Sequence, residues 1–260
     1  MNTSLFSKPP TVLISGGTSG IGRATASAFA REGSRVAVTY ARDEQAAEEL
    51  VGEVRRAGGN LLAFRGDATQ ADAVRDTVAQ VRSALGDIDV LVNNVGGVIK
   101  RVPFVDCDES LWDTVIAFNL KSAFLFTREV LPQMIARRYG RIVNVSAFAA
   151  RNGGAGNGSI PYGAAKAGLE ALTIGLARDY ADTGVRINAV QLGLVDTPLH
   201  AHTDYDPTYG SALDFMNKVG RLTPMHRAAQ PEEVATAIVY LASDQASYIT
   251  GAILSVTGGL

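Results

Sequence analysis

Residues 15–22 read SGGTSGIG and separate two different kinds of sequence. The run before them, TVLIS at 11–15, is short, apolar and β-branched, whereas the stretch from Arg23 to Arg31 is alanine-rich and amphipathic. This order predicts a strand, a glycine-rich loop and a helix. Glycines let the backbone approach a pyrophosphate, and the N-terminus of a helix offers it unpaired N–H groups. We therefore expect a nucleotide site in this loop, with a merely tight strand-to-helix turn as the alternative.

The alternation of strand and helix continues along the chain. Each later strand candidate is a short apolar run followed by a longer segment of helical character, as in the Glu/Ala-rich stretch after residue 40. The strand candidates lie at 35–40 and start near 61, 88, 141, 185 and 252, and the later helix candidates lie at 71–85, 109–136, 162–182 and 231–242. Runs that are apolar on both faces and joined by helical crossovers predict a parallel sheet covered on both sides. We expect one doubly wound α/β domain over residues 1–260, with a seven-stranded parallel sheet.

Composition excludes several classes of protein. The chain has 260 residues, of which 47% are hydrophobic and 19% charged, so it can bury a sizeable core. A net charge of −2 provides no broad cationic field for nucleic acid. Cys107 is the only cysteine, which rules out an intrachain disulfide and fits a reducing cytoplasm. We expect no signal peptide in the first ten residues and no membrane-spanning segment.

Two segments interrupt the alternation, at 151–161 and at 194–227. Both follow predicted strands, and ligands of open α/β sheets bind beyond the carboxyl ends of the strands. These segments are expected to wall a substrate site, although they could be ordinary surface loops. The second contains His200, His202, Asp204 and Asp206 at alternate positions. Without a helical or hairpin frame this spacing favours a substrate lid over a metal site.

Several motifs together resemble the short-chain dehydrogenase/reductase family, and the match extends over nearly the whole chain. The family's TGxxxGIG loop appears as SGGTSGIG, its NNAG segment as Asn93-Asn94-Val95-Gly96, and its YxxxK pair as Tyr162 and Lys166. The segment from Pro231 to Gly251 is similar to the end of 3-oxoacyl-carrier-protein reductases. The resemblance implies a Rossmann-type fold and an NAD(P)-dependent oxidoreductase that interconverts a ketone and a secondary alcohol.

The resemblance also implies catalytic roles. Tyr162 would exchange a proton with the substrate oxygen while the nicotinamide exchanges a hydride, and Lys166 would hold the nicotinamide ribose. Residues four apart share a helix face, and a neighbouring ammonium favours a phenolate, so Lys166 is expected to lower the pKa of Tyr162. Asn119 would link the lysine to solvent through a water. The alternative for Asn119 is a polar side chain that bonds the backbone within its helix.

The cofactor set combines the glycine loop with positions that the family resemblance supplies. Gly193 and Val195 follow the sixth predicted strand and would line the nicotinamide carboxamide. An acidic residue at the end of the second strand would favour NAD, but Tyr40 stands there, and Arg42 can pair with a 2′-phosphate. NADP is therefore expected, although nearby Asp43 leaves NAD possible. The expected cofactor-binding residues are Gly16, Thr18, Ser19, Gly20, Ile21, Gly22, Tyr40, Arg42, Asp67, Ala68, Asn94, Gly96, Tyr162, Lys166, Gly193, Val195 and Thr197.

One expected residue is missing. In the family the fifth strand ends with a serine that hydrogen-bonds the substrate oxygen, and here the aligned position is Ala147. The adjacent Ser146 is the candidate replacement, but neighbouring strand residues point to opposite faces, so the strand end would need a local change of register. Ser159 is a weaker candidate. The alternative function is a nucleotide-binding protein of the same fold whose catalysis is weakened or lost.

The resemblance implies a homotetramer built on the helices at 109–136 and 162–182. Apolar residues on these helices exceed what one side of a sheet needs, unless all of them pack inward. They are Phe118, Phe124, Leu125, Leu131, Leu169, Leu172 and Leu176. The carrier-protein reductases usually have a basic residue where Thr183 stands, so a carrier-protein partner is in doubt. We expect a small carbonyl or alcohol substrate, with sugars, polyols and cyclic ketones all open.

Overall fold

A seven-stranded parallel sheet forms the centre of the computed structural model, which describes residues 5–156, 158–199, 203–205 and 211–260. The strand order is β3-β2-β1-β4-β6-β7-β9, so successive crossovers run outward in both directions from β1 and β4. Every pairing in this sheet is parallel, as between Val12 of β1 and both Val36 and Val90. The strands are β1 (Thr11–Ile14), β2 (Arg35–Tyr40), β3 (Asn60–Arg65), β4 (Val90–Asn93), β6 (Gly140–Ala147), β7 (Val185–Leu192) and β9 (Ile253–Val256).

Helices cover both faces of the sheet. Alternate residues of each strand contribute to two separate cores: Val12 and Ile14 pack with Phe29 on one face, and Leu13 packs with Phe126 on the other. The prediction of a doubly wound α/β fold with seven parallel strands is confirmed. The helices are α1 (Gly20–Arg31), α2 (Glu44–Arg56), α3 (Ala71–Leu85), α4 (Glu109–Ile116), α5 (Ser122–Ala136), α6 (Ala149–Asn152), α7 (Ile160–Asp179), α8 (Ala212–Leu222) and α9 (Pro231–Ala242).

The second of the two segments that interrupt the alternation contains a helix and a short strand. α8 lies inside the second segment, and its N-terminus is closed by a capping box between Ser211 and Asp214. The backbone of Asp204 belongs to β8 (Asp204–Tyr205), which pairs in parallel with β5 (Lys100–Arg101). His200, His202 and Asp206 lie outside the described residues. Among the described residues, no group of three or more His, Cys, Asp or Glu side chains could hold a metal ion.

A π-helical turn (Ala117–Lys121) joins α4 to α5, so the predicted helix at 109–136 is one continuous rod with a local widening. Such turns occur mostly as single insertions in α-helices and are frequent at functional sites. In the described part of the chain, no helix has the length and apolar character that crossing a membrane requires.

Candidate active site

A cavity of about 1510 Å³ opens beyond the carboxyl ends of the central strands. The order of the strands reverses between β1 and β4, and ligands of open α/β sheets bind at such a point. Of the residues expected to bind a cofactor, all except Gly22 line this cavity. Described residues of both interrupting segments line it too, from Asn152 to Ser159 and from Val195 to Leu222.

The glycine loop is shaped by close backbone contacts. Gly16 and Gly20 adopt φ of +65° and +50°, a region that side chains disfavour. Gly22 lies beneath the loop, where a Cβ would overlap the carbonyl oxygen of Gly16 and come within 2.7 Å of the Asn94 side chain. The Asn94 Nδ2 donates to the Gly16 carbonyl at 2.8 Å. Asn94 therefore braces the loop from β4, which keeps the start of α1 facing the cavity.

The Tyr162 and Lys166 side chains lie together in the cavity wall, one turn apart on α7. The Lys166 Nζ is 5.7 Å from the centre of the Tyr162 ring and donates to the Val145 carbonyl at 2.8 Å. A Cβ on Gly96 would come within 2.7 Å of this Nζ and of the Asn119 Oδ1, so a larger residue there would displace one of these side chains. Tyr162 and Lys166, which the sequence predicted on one helix face, thus both line the cavity.

Burial dominates the proton affinities of this pair. It raises the pKa of Tyr162 to about 12, with the Arg101 charge acting in the opposite direction. It also lowers the pKa of Lys166 to about 8. The expectation that Lys166 lowers the pKa of Tyr162 is therefore wrong for this structure. Both groups lose solvation on burial, and the charge that opposes this effect at Tyr162 is that of Arg101 rather than that of Lys166.

Asn119 is fully buried in the π-helical turn and uses its amide on the backbone. Its Nδ2 donates to the carbonyls of Gly97 and Val115, each at 3.0 Å, and its Oδ1 accepts from the Gly97 N–H at 2.8 Å. This is the backbone-bonding arrangement that the sequence left open. Asn119 therefore holds the backbone at Gly97, shortly after β4. It lies next to Gly96 and Lys166.

The Ser146 hydroxyl is held within the fold. It donates to the Glu170 Oε1 at 2.7 Å, and the Gln191 side chain donates to the same oxygen at 2.8 Å. β6 keeps its regular register with β7 as far as Ala147, which pairs with Leu192. The expected change of register is therefore absent, and Ser146 lines the cavity with its hydroxyl bonded to Glu170.

The residues that were expected to determine the preference for NADP over NAD lie at the opposite end of the cavity. Tyr40 and Arg42 line it, and Arg42 is exposed. The Asp43 Oδ1 accepts from the Ala46 N–H at 2.9 Å and caps α2. The Asp67 carboxylate accepts from the N–H and the hydroxyl of Thr69.

Sequence reasoning missed Arg101 and Phe215. Both line the cavity, and the Arg101 guanidinium carbon lies 3.9 Å from the centre of the Phe215 ring. The sequence gives no periodic signal for Arg101, because β5 has only two residues and both are cationic. Arg101 is 4% exposed, whereas Lys100 beside it is exposed.

Comparisons with known proteins agree with this geometry. A family model described as enoyl-(acyl carrier protein) reductase matches residues 16–260. A 3-oxoacyl-(acyl-carrier-protein) reductase from Staphylococcus epidermidis and an acetoacetyl-CoA reductase from Allochromatium vinosum are each 35% identical, over 95% of this chain and 97% of theirs.

Solved structures agree as well. A variant of a Serratia marcescens short-chain dehydrogenase/reductase is 34% identical, with a TM-score of 0.85 and 98% coverage of both chains. A dehydrogenase/reductase from Sinorhizobium meliloti is 31% identical, with a TM-score of 0.87, covering 99% of this chain and 97% of its own. The fold and the cavity define a nicotinamide-dependent oxidoreductase. This chain belongs to the short-chain dehydrogenase/reductase family.

Proposed function

We propose that the protein is an NADP(H)-dependent oxidoreductase that interconverts a ketone and a secondary alcohol, with Tyr162 as the proton donor and acceptor. The observation that carries this proposal is the placement of Tyr162 and Lys166 in one cavity with the glycine loop. NADPH oxidation in the presence of a panel of ketones tests it. Tight nucleotide binding without turnover of any ketone would instead support the non-catalytic alternative.

The residues fit a dinucleotide. The glycine loop and the N-terminus of α1 suit the pyrophosphate, and Gly20 lies under Thr197, whose Cγ2 would be 3.2 Å from a Cβ at that position. Gly193 and Val195 would border the nicotinamide, which supplies the hydride when it is bound. Lys166 would hold the ribose.

The chain itself supplies the proton. Because its pKa is about 12, the Tyr162 phenol is protonated at neutral pH and is ready to donate to a ketone oxygen as that oxygen gains negative charge. The phenolate that remains would be stabilised by the Arg101 charge, which favours the deprotonated form of Tyr162. Asn119 is a positioning residue in this account, because its amide holds the backbone at Gly97.

The absence of the family's serine is the basis of the second candidate function, a nucleotide-binding protein whose catalysis is weakened or lost. With Ala147 at the expected position and the Ser146 hydroxyl on Glu170, neither residue offers a donor to the substrate oxygen. We propose that Ser146 holds the strand end to α7 rather than acting on substrate. Ser159 is buried and lines the cavity, so it remains a candidate donor. The presence of Ala147 is the observation that keeps the non-catalytic alternative open.

The pH dependence of ketone reduction follows from Lys166. Its pKa of about 8 means that the ammonium is present below that pH and is lost above it, while Tyr162 stays protonated throughout. We expect kcat/KM for the ketone to be level at lower pH and to fall as the pH rises through about 8. A profile between about pH 6 and pH 10 checks this. A level profile across that range would contradict the role of Lys166.

The cofactor preference depends on Arg42. Its guanidinium is exposed at the cavity edge, and the nearby Asp43 carboxylate caps α2. Arg42→Ala should lower kcat/KM for NADPH by about tenfold to a hundredfold, because a charged hydrogen bond to the 2′-phosphate is lost. Values for NADH should change by less than about threefold. Arg56→Ala, at an exposed arginine at the far end of α2 that does not line the cavity, is the control. An equal effect on both cofactors would contradict the assignment.

We propose a homotetramer, although the structure revises the argument for it. Leu125, Leu131 and Leu169 are buried in the protein's own core, and Phe118 lines the cavity. The prediction that these four residues provide apolar surface for contacts between subunits is therefore wrong. The support that remains is Phe124, 44% exposed on α5, together with 37% exposed Trp112 and half-buried Leu172, whereas Leu176 packs against the protein's own core.

A free small molecule is the proposed substrate, and the cytoplasm the proposed location. The curated relatives are named for acyl-carrier-protein and coenzyme A substrates. Thr183, where the carrier-protein reductases usually carry a basic residue, donates its hydroxyl to the Tyr180 carbonyl at 2.7 Å. It therefore offers no cation for an acidic carrier. The single Cys107 fits a reducing compartment.

A further inference from the structure

Glu170 lies one turn after Lys166 on α7, and the roles assigned so far do not include it. Its side chain is half-buried, and one carboxylate oxygen accepts two hydrogen bonds. The Ser146 hydroxyl donates to this Oε1 at 2.7 Å and the Gln191 Nε2 donates to it at 2.8 Å. Among the described residues, no lysine or arginine forms a salt bridge with Glu170. Hydrogen bonds rather than an ion pair therefore hold this carboxylate in place.

The two donors come from neighbouring strands. Ser146 of β6 and Gln191 of β7 are register partners, and each is 1% exposed. The Glu170 oxygen thus joins α7 to both strands at one point. Hydrogen bonds to a carboxylate are stronger than those between neutral groups, and a buried donor that loses its acceptor is costly. Without the carboxylate, two buried donors would need new partners, and water entering the contact would supply them.

This contact adjoins the residues that we propose for proton transfer. Ser146 follows Val145, whose carbonyl accepts from the Lys166 Nζ at 2.8 Å. Residues four apart share a helix face, so Tyr162, Lys166 and Glu170 form one row along α7. A shift of α7 against β6 at Glu170 would therefore move the first two members of the row relative to the cavity wall.

We propose that Glu170 is a positioning residue, whose carboxylate oxygen holds α7 on β6 and β7 and thereby sets the place of Tyr162 and keeps water away from Lys166. The inference rests on the proposed ketone–alcohol activity and adds a residue to it. Ser146→Ala would remove one of the two hydrogen bonds and leave Glu170 bonded to Gln191, so it is the weaker perturbation. Replacement of Glu170 itself removes both.

The test compares two replacements of Glu170. Glu170→Leu should lower kcat for ketone reduction by about tenfold to a hundredfold, because misplacing a reacting group by about 1 Å can cost about 10² in rate. KM for the ketone should change by less than about threefold, since the loss is one of alignment in the transition state. Glu170→Gln keeps an oxygen that can accept both hydrogen bonds and should recover most of kcat. Both variants lose the same charge, so the comparison isolates the hydrogen bonds.

Thr173→Val is the matched control on the same helix. The Thr173 Oγ1 accepts from the Asn144 Nδ2 of β6 at 2.8 Å, and neither residue lines the cavity. This variant also deprives a buried donor of its acceptor, so a merely structural effect would appear in it as well. A lower unfolding temperature with kcat near that of wild type in Thr173→Val supports the proposal. Equal losses of kcat in Thr173→Val and Glu170→Leu would overturn it, as would equal losses in Glu170→Gln and Glu170→Leu.

A second measurement does not depend on turnover. Burial lowers the pKa of Lys166 to about 8, and the chain has five lysines. An NMR titration of enzyme labelled with ¹³C at the lysine Cε, with Lys166→Arg to assign the signal, measures this pKa. In Glu170→Leu it should rise toward the ordinary lysine value of about 10.4, because water reaches the ammonium. Glu170→Gln and Thr173→Val should keep the value of wild type, and an unchanged pKa in Glu170→Leu would contradict the proposal.

The direction of this shift separates positioning from charge. Loss of the Glu170 carboxylate as a nearby charge would lower the pKa of Lys166, since a carboxylate favours the ammonium. Tyr162, on the same helix, and Arg101, in the same cavity wall, are unchanged in these variants. The ionisable residues of the elements packed against α7 are exposed or lie near the opposite ends of their strands, and they are Glu109 and Asp113 of α4, Lys121, Arg151 of α6, Arg141 of β6 and Arg186 of β7.

The two measurements also separate this inference from the proposed function. If no ketone is turned over by wild type, the proposed function fails, and the lysine titration still tests Glu170. A raised pKa of Lys166 in Glu170→Leu alone then supports the contact, and equal values in all variants overturn it. Thermal unfolding of each variant confirms that the fold is intact at the temperature of the titration.

Discussion

Tyr162→Phe should lower kcat for ketone reduction by about 10² to 10⁴. The substitution removes the hydroxyl that we propose as the proton donor and keeps the ring that lies beside Lys166. NADPH binding should therefore change little, because the Lys166 Nζ bond to the Val145 carbonyl does not involve the hydroxyl. Steady-state kinetics together with fluorescence titration of NADPH measure both quantities.

Tyr248→Phe is the matched control, since the Tyr248 side chain is fully exposed and we propose no catalytic or binding role for it. It should have the activity of wild type. If Tyr162→Phe were fully active, the proton would come from elsewhere and the mechanism would be overturned. A loss of NADPH binding equal to the loss of kcat would indicate a structural role for the hydroxyl instead.

Ala147→Ser should raise kcat by up to about tenfold to a hundredfold. Ala147 lines the cavity, so the change places a hydroxyl where the family uses one, and such a donor strengthens its hydrogen bond as the substrate oxygen gains charge. The full effect of a donor is not expected, because the segment between Ala147 and Tyr162 can misplace the new hydroxyl. The gain should appear in kcat at saturating ketone.

Ser146→Ala tests the adjacent serine, where we expect a loss of stability rather than a change in rate. Because the Ser146 hydroxyl donates to Glu170, its loss should cost about 1 kcal/mol of unfolding free energy and change kcat little. A loss of rate comparable to that of Tyr162→Phe, with no gain in Ala147→Ser, would show that Ser146 acts on substrate. Chemical denaturation and kinetics on one accepted ketone distinguish the two cases.

The fold was predictable where local sequence signals agree with tertiary packing. The predicted helices at 71–85 and 231–242 coincide with α3 and α9, because amphipathic periodicity and a proline at the start of α9 mark their limits. The central strands were predictable because they are buried on both faces and consist of apolar residues. α8 was not predicted, since it lies in a segment of mixed composition.

The site was predictable only in part. Spacing places Tyr162 and Lys166 on one helix face, and the structure has them there. The direction of their pKa shifts was not predictable, because it depends on how many other segments cover them. Arg101 was missed for the same reason: the pairing of β5 with β8 that fixes its position involves residues that are distant in sequence.

The most direct test of the account is the fate of a labelled hydride. NADPH deuterated at C4 is incubated with the enzyme and a panel of ketones, and the products are analysed by mass spectrometry and NMR. The account predicts deuterium on the carbon that bears the new hydroxyl group, and almost none of this product from Tyr162→Phe. Tight NADPH binding without deuterium transfer to any ketone would contradict the account, as would transfer to a carbon–carbon double bond alone.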